Sequence, residues 1–245
     1  AAPIGFFLHI PFPAAEVFQV APWRREILAG MLGASVVGFH TTGYASQFED
    51  ALRALTAFEV QPGLVIANAR AVRVAAYPMG VDAAWFSAMS DDPLVQAERA
   101  QLAGTPAEQL LLGIDRLDYT KGIPRRLLAY EQLLREHREL RGRVRLIQVA
   151  VPSRDSVPSY QRFRQEIDEI VGRINGEHAT VDWTPIRYLH QSVSPAQLVA
   201  LYGAADVMLV TPLRDGMNLV AKEFVAARAD GDGVLVLSEF AGAAA

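Results

Sequence analysis

Five short apolar runs, many of their residues β-branched, recur through the second half of the chain at residues 111–115, 144–150, 186–190, 206–210 and 234–238. Each reads as a strand, and the short β-branched run 206–210 as a buried one. Between them lie stretches of helical composition, at 124–138, 159–174, 194–202 and 217–228. Asn175-Gly176 is expected to end the second of these, and Ser194 with Pro195 to cap and open the third. Parallel strands need a crossover between them, and a helix supplies it. The alternation therefore predicts an α/β fold built on doubly wound parallel sheet.

The first half carries the same grammar more loosely. Runs at 4–10, 34–39 and 72–77 read as strands, with helices at 22–32 and 43–55. The run 4–10 is continuously apolar, which predicts burial on both faces, and Pro11 and Pro13 end it. Trp23, Ile27 and Leu28 should lie on one side of the first helix. An Ala-, Asp- and Gln-rich helical stretch, 83–109, separates the two series, so the chain divides into a first domain, 1–100, and a second, 101–245.

Composition narrows the partners. With 245 residues, 51% of them hydrophobic, and a net charge of −4, this is a globular chain long enough for two modest domains. A mild acidic balance argues against nucleic acid as the main partner. There is no cysteine, hence no disulfide framework or thiolate chemistry, and a reducing compartment is compatible. No apolar run approaches the roughly 20 residues of a membrane helix. The opening Ala1-Ala2-Pro3-Ile4 has neither initiator Met nor basic n-region, and both ends read as cut from something longer.

The run 206–210 leads through Thr211-Pro212-Leu213-Arg214-Asp215-Gly216-Met217-Asn218-Leu219-Val220-Ala221-Lys222-Glu223 into a helix expected to start at Met217. Such a junction leaves backbone N–H groups and a positive dipole end facing one crevice, which suits a diphosphate. Asp215 has the wrong sign for phosphate but the right chemistry for a sugar hydroxyl. Glu223, two helical turns beyond Gly216, would face the same way and could take ribose hydroxyls. The plainer reading is a capping Asp and an exposed helical Glu.

In an open parallel sheet, ligands bind beyond the carboxyl ends of the strands. Those ends carry Arg116 and Lys121 after the first strand of the second series and Arg154 after the second. The loop Gln191-Ser192-Val193 follows the third, and Asp215 to Glu223 the fourth. An Arg fork and a Lys point charge on one short turn suit a single diphosphate. A sugar transferred from a nucleoside diphosphate leaves charge on that diphosphate. Arg116, Lys121 and the amides of Leu219 and Val220 would stabilise it, without a metal. Asp230-Gly231-Asp232 matches a bare Asp-x-Asp pattern but lies in a Gly-rich loop at the wrong end of the sheet, and reads as a turn. No Gly-x-Gly-x-x-Gly follows a strand and no Walker loop or His-x-x-x-His spacing exists. His9 stands at the end of the run 4–10, beside Pro11-Phe12-Pro13, as either a ligand or a core histidine.

Four stretches together resemble the trehalose-6-phosphate synthases, retaining glycosyltransferases of the GT-B architecture with two Rossmann-like domains. They are Ile4-Gly5-Phe6-Phe7-Leu8-His9-Ile10-Pro11-Phe12-Pro13, Asp115-Arg116-Leu117-Asp118-Tyr119-Thr120-Lys121-Gly122, Val151-Pro152-Ser153-Arg154, and Thr211 through Glu223. Gly172-Arg173-Ile174-Asn175-Gly176 and Glu239-Phe240-Ala241-Gly242-Ala243-Ala244 fit as well. The resemblance implies UDP-glucose as donor, glucose 6-phosphate as acceptor, and trehalose 6-phosphate and UDP as products. By position, His9 and Asp215 would bind the donor glucose with backbone of Gly216, Met217 and Asn218. Arg116 and Lys121 would hold the diphosphate and Glu223 the ribose, with backbone donors from Leu219 and Val220. Backbone at Val193 would meet the uracil, and Arg154 the acceptor phosphate. The implied mechanism retains configuration without a protein nucleophile or general base, because the acceptor attacks from the leaving-group face and the diphosphate takes its proton. It needs no cofactor or metal, acts on small molecules in the cytoplasm without nucleic-acid or membrane partners, and leaves room for a homo-oligomer.

The family's N-terminal Gly-rich loop, with acceptor-gripping Tyr, Trp and Asp positions, and its C-terminal helices do not occur in this sequence. The first domain is therefore expected to be incomplete and the chain by itself inactive. Three other readings compete with trehalose 6-phosphate synthesis. One is a sibling using another acceptor, such as a glucosylglycerol-phosphate synthase or a pseudo-glycosyltransferase. Another is a non-catalytic sugar-phosphate sensor, and the third an unrelated GT-B enzyme.

Overall fold

A computed structural model describes residues 2–102, 108–154, 156–228 and 231–245. The chain forms two compact units, Ala1–Met79 with Asp215–Met217 and Ala245, and Gly80–Arg214 with Asn218–Ala244.

The first unit contains β1 (Gly5–Leu8), α1 (Ala15–Phe18), α2 (Arg24–Met31), β2 (Val36–Phe39), α3 (Thr42–Leu55), β3 (Glu59–Gln61), β4 (Leu64–Ala67) and β5 (Arg70–Ala76). Its sheet runs β1-β2-β5-β4-β3. β1, β2 and β5 are parallel, as expected, but β4 and β3 add an antiparallel hairpin that periodicity alone did not reveal. The hairpin turns at Pro62-Gly63, with Gly63 at φ 78, a left-handed conformation that glycine adopts without strain. β1 is not buried on both faces: it is an edge strand, and Phe6 is 39% exposed. The expected apolar side of α2 is likewise reduced to Leu28, fully buried, while Trp23 and Ile27 are exposed. An aromatic cluster of Phe12, Phe39 and Phe48 forms the centre of this core.

The second unit contains α4 (Ala83–Ser90), α5 (Pro93–Leu102), β6 (Gln109–Arg116), α6 (Ile123–Glu136), β7 (Val144–Val151), α7 (Pro158–His178), β8 (Ile186–Leu189), α8 (Pro195–Ala204), β9 (Val207–Val210), α9 (Leu219–Ala227) and β10 (Val234–Leu237). All five strands are parallel, in the order β10-β9-β6-β7-β8. Helices cover both faces. Leu110, Leu112 and Ile114 of β6 point into a core with α8 and α9, while Leu111 joins α6 and α7 on the other side. That double burial is why β6 and β7 read as continuous apolar runs. The units divide at Met79/Gly80, ahead of the expected 100/101, because α4 and α5 pack on α9 and α8.

Two helix ends differ from expectation. Ser194 does cap α8, in a full capping box with Gln197. By contrast α7 runs through Asn175-Gly176 to His178. Asn175 is held there by β8: its Nδ2 donates to Ile186 O at 2.9 Å and its Oδ1 accepts from Ile186 N at 3.0 Å. The helix α9 starts at Leu219 rather than Met217, capped by Asn218 at φ 73, whose Oδ1 accepts from Ala221 N at 3.2 Å.

Candidate functional site

Strand order in the second unit reverses between β6 and β9. From β6 the chain winds outward to β7 and β8, then returns to β9 and continues to β10. Such a switch point opens a crevice beyond the carboxyl ends of the two central strands. The loops after β6 and β9 therefore occupy the place where this kind of sheet binds ligands.

After β6, Arg116 is exposed and Leu117 is buried as an anchor. Asp118 then caps a single 3-10 turn, Tyr119–Lys121, its Oδ1 accepting from Thr120 N at 2.9 Å and from Thr120 Oγ1 at 2.7 Å. Burial alone would raise the Asp118 carboxyl. The Thr120 bonds, the Tyr160 hydroxyl and the Lys121 charge outweigh it and hold the group below its ordinary value. Lys121 is thus fixed at the end of a rigid turn. The loop after β9 is fastened to the same turn, with Leu213 N donating to Thr120 O at 2.8 Å.

Beneath the crevice lies a buried polar cluster. Arg126 Nη1 donates to Asp115 Oδ2 at 2.6 Å and to Gln148 Oε1 at 3.0 Å. Gly113 makes room for it, since a Cβ there would stand 2.5 Å from Arg126 Nη1.

Arg154, exposed, follows β7 with φ 54. Its Nη1 donates to Tyr160 Oη at 2.7 Å, and its guanidinium lies 5.5 Å from that ring's centroid. The Tyr160 hydroxyl in turn donates to Asp118 Oδ2 at 3.3 Å. A tyrosine that sequence reasoning did not single out therefore ties Arg154 to the Lys121 turn. Val193 is partly buried and packs against the α8–α9 core just ahead of the Ser194 cap.

At α9, Leu219 and Val220 are the first two helical residues, and their N–H groups have no acceptor within the helix. Asp215 is not the helix cap, since Asn218 fills that position. Glu223 lies in the second turn from Leu219, one turn nearer the helix start than a count from Gly216 gives, and its Oε2 accepts from Tyr202 Oη at 2.7 Å. The second unit thus gathers Arg116, Lys121, Arg154, Val193, Asn218, Leu219, Val220 and Glu223 on the carboxyl-end side of one sheet.

His9, Asp215, Gly216 and Met217 fall in the first unit. There His9 follows β1 and is exposed, its ring 4.7 Å from Phe7 and 5.3 Å from His40 between centroids. It is not a core histidine.

Two other features lie off this rim. A cavity of about 710 Å³ opens between α6 and the β6–β9–β10 face, walled mainly by apolar side chains such as Leu133, Leu209 and Val236. Among the described residues, Glu131, Glu177 and His178 bring ligand atoms within 4.8 Å of one another. Both carboxylates there already face the guanidinium groups of Arg135 and Arg173, which compete with a cation. Asp230 of the Asp-x-Asp pattern lies outside the described residues. Among those described, no helix is long and apolar enough to cross a membrane.

Comparison with known proteins bears on the whole of this arrangement. The profile of Glycosyltransferase family 20 matches residues 1–245. The bifunctional trehalose-6-phosphate synthase/phosphatase of Thermoproteus tenax is 51% identical over 243 residues, which are 98% of this chain and 33% of that protein. The trehalose-6-phosphate synthase of Mycobacterium ulcerans is 49% identical over 99% of this chain and 51% of its own length. Among solved structures, an E. coli one bound with UDP-2-fluoro glucose aligns with a TM-score of 0.91 at 40% identity, over 98% of this chain and 54% of that one. An α,α-trehalose-phosphate synthase (UDP-forming) from Burkholderia xenovorans, in complex with glucose-6-phosphate, gives 0.91 at 40% identity, over 99% and 55%. The chain thus spans about half the length of these solved structures, and its α/β units with parallel sheet are of the GT-B class. With the full span of the profile and identities near one half, the chain belongs to glycosyltransferase family 20.

Proposed function

We propose that the protein transfers glucose from UDP-glucose to glucose 6-phosphate with retention of configuration, forming trehalose 6-phosphate and UDP. The observation that carries this reading is the rim at the switch point of the second sheet, where Arg116 and Lys121 flank one rigid turn beside the open amides of α9. Relatives of the same family, one solved with a UDP-glucose analogue and one with glucose-6-phosphate, support the choice of donor and acceptor.

As the glycosidic bond to the diphosphate breaks, charge accumulates on the leaving oxygens. Arg116 and Lys121 lower the energy of that state, and so do the Leu219 and Val220 amides at the positive end of the helix. His9 and Asp215 are assigned to the donor glucose with backbone of Gly216, Met217 and Asn218. Glu223 is assigned to the ribose, backbone at Val193 to the uracil, and Arg154 to the acceptor phosphate. The acceptor hydroxyl attacks from the face the diphosphate leaves, and passes its proton to the diphosphate, so the step needs no protein base. Two cationic side chains replace the metal that other sugar transferases use for the same charge. Phosphorylated substrates do not cross membranes, which fits a cytoplasmic location.

Calorimetric titration with UDP and UDP-glucose tests the reading, with Arg116→Ala and Lys121→Ala beside the parent and excess chelator present. Micromolar binding, lost in both variants and indifferent to chelator, is the expected result. A folded protein that ignores both ligands overturns it. Acceptor choice is tested separately, by comparing glucose 6-phosphate with glycerol 3-phosphate in a transfer assay.

A further inference from the structure

The carboxylate of Glu223 is held by the core behind it. Tyr202, on α8, is fully buried, and its hydroxyl donates to Glu223 Oε2 at 2.7 Å. The Tyr202 ring sits against Phe86 and Phe224, with centroids 6.4 and 6.2 Å away, so its position is set by packing. Burial, reinforced by the negative charge of Glu223, drives the phenol far above its ordinary range. At any physiological pH it is therefore a neutral donor with one hydrogen to give.

We propose that Tyr202 is a positioning residue that makes Glu223 a reader of ribose hydroxyls, favouring ribonucleotides over their deoxy counterparts. The inference rests on the assignment of Glu223 to the ribose. A glutamate on a helix surface ordinarily samples several rotamers and must give them up to bind. Here the phenol occupies Oε2 and fixes the rotamer beforehand, leaving Oε1 to accept from the ligand. Preorganisation of this kind strengthens only those ligands that use the carboxylate. A nucleotide lacking the 2′ and 3′ hydroxyls offers Oε1 nothing and gains nothing from Tyr202.

The test compares UDP with 2′,3′-dideoxy-UDP by calorimetry on the folded protein. The parent should prefer UDP by about tenfold or more, the scale of a hydrogen bond to a charged group. Tyr202→Phe keeps the ring and its packing. It should weaken UDP about fivefold to tenfold while leaving dideoxy-UDP unchanged, so that the preference collapses. Glu223→Asp withdraws the carboxylate from the phenol without disturbing the core and should give the same collapse. Full preference retained in both variants overturns the proposal, as does equal weakening of both ligands, which is what a merely structural tyrosine would cause. Glu223→Ala separates the two levels of the argument. If it keeps the preference for UDP, the assignment of Glu223 to ribose has failed. If it abolishes the preference while Tyr202→Phe does not, only the role of Tyr202 has failed.

Discussion

Arg126 reaches from α6 under the switch point and donates from Nε to Thr211 Oγ1 at 2.9 Å, the first residue beyond β9. Its other end neutralises Asp115, the residue before Arg116, with side chains 1% and 3% exposed. One buried guanidinium thus braces both loops that carry the candidate site. Arg126→Met removes the guanidinium that neutralises a buried carboxylate and should cost about 3–5 kcal/mol in urea unfolding. Arg126→Met with Asp115→Leu should recover most of that loss, because an apolar replacement of the whole pair is often neutral. A single variant within about 1 kcal/mol of the parent would mean the brace contributes little.

Gly122 offers a second test of the same bracing. It joins the Lys121 turn to α6 at φ 69, and a Cβ there would stand 2.5 Å from Thr211 O. Gly122→Ala therefore combines left-handed strain with a backbone clash and should destabilise by about 2–3 kcal/mol or more, while weakening UDP. Gly142 has φ 77 but nothing within 4 Å of its would-be Cβ. Gly142→Ala should cost only about 1–2 kcal/mol and leave UDP binding alone. Equal effects of the two on UDP binding would contradict the bracing.

The sequence disclosed most where burial was two-sided. β6 and β7 are covered on both faces, so their apolar runs were visible without knowledge of partners. β1 had the same appearance, and among the described residues it lies at the edge of its sheet. β3 and β4, of three and four residues, exist because they pair with each other and with β5, a signal held in the Pro62-Gly63 turn more than in periodicity. The charged candidate residues stood out because charge at the carboxyl end of a strand is conspicuous. Tyr160 and Tyr202 were not, since an aromatic in a helix reads as core. What gives them their parts is a hydrogen bond to a residue 42 or 21 positions away.

Asn175 shows the same limit and yields its own prediction. Asn-Gly ordinarily ends a helix, yet here both atoms of the Asn175 amide are bonded to the Ile186 backbone. Asn175→Ala raises helix propensity but leaves the Ile186 N–H and carbonyl without those partners at the start of β8. The second effect should win, with a loss of about 1–3 kcal/mol by denaturation. An unchanged or raised midpoint would show that these bonds are replaced by water at no cost.

Asp118 connects stability to pH. Burial pulls its carboxyl upward, but the Thr120 bonds, the Tyr160 hydroxyl and Lys121 together hold it below its ordinary value. A folded-state value below the unfolded one means that the charged form is bound more tightly by the fold. The contribution is therefore complete above about pH 4 and disappears as pH falls through the lowered folded value. Asp118→Asn retains an acceptor for Thr120 but removes the charge and the second oxygen, which accepts from the Tyr160 hydroxyl. At pH 7 it should be less stable than the parent by up to about 1 kcal/mol, the modest scale of a partly exposed charge. Melts at pH 7, 5 and 3 should show that difference constant between the first two and shrinking at the third. A gap that grew on acidification would reverse the sign of the argument. Because the same carboxylate orders the Lys121 turn and, through Tyr160, Arg154, UDP affinity should follow the same course, weaker in Asp118→Asn at pH 7 with the two proteins converging toward pH 3.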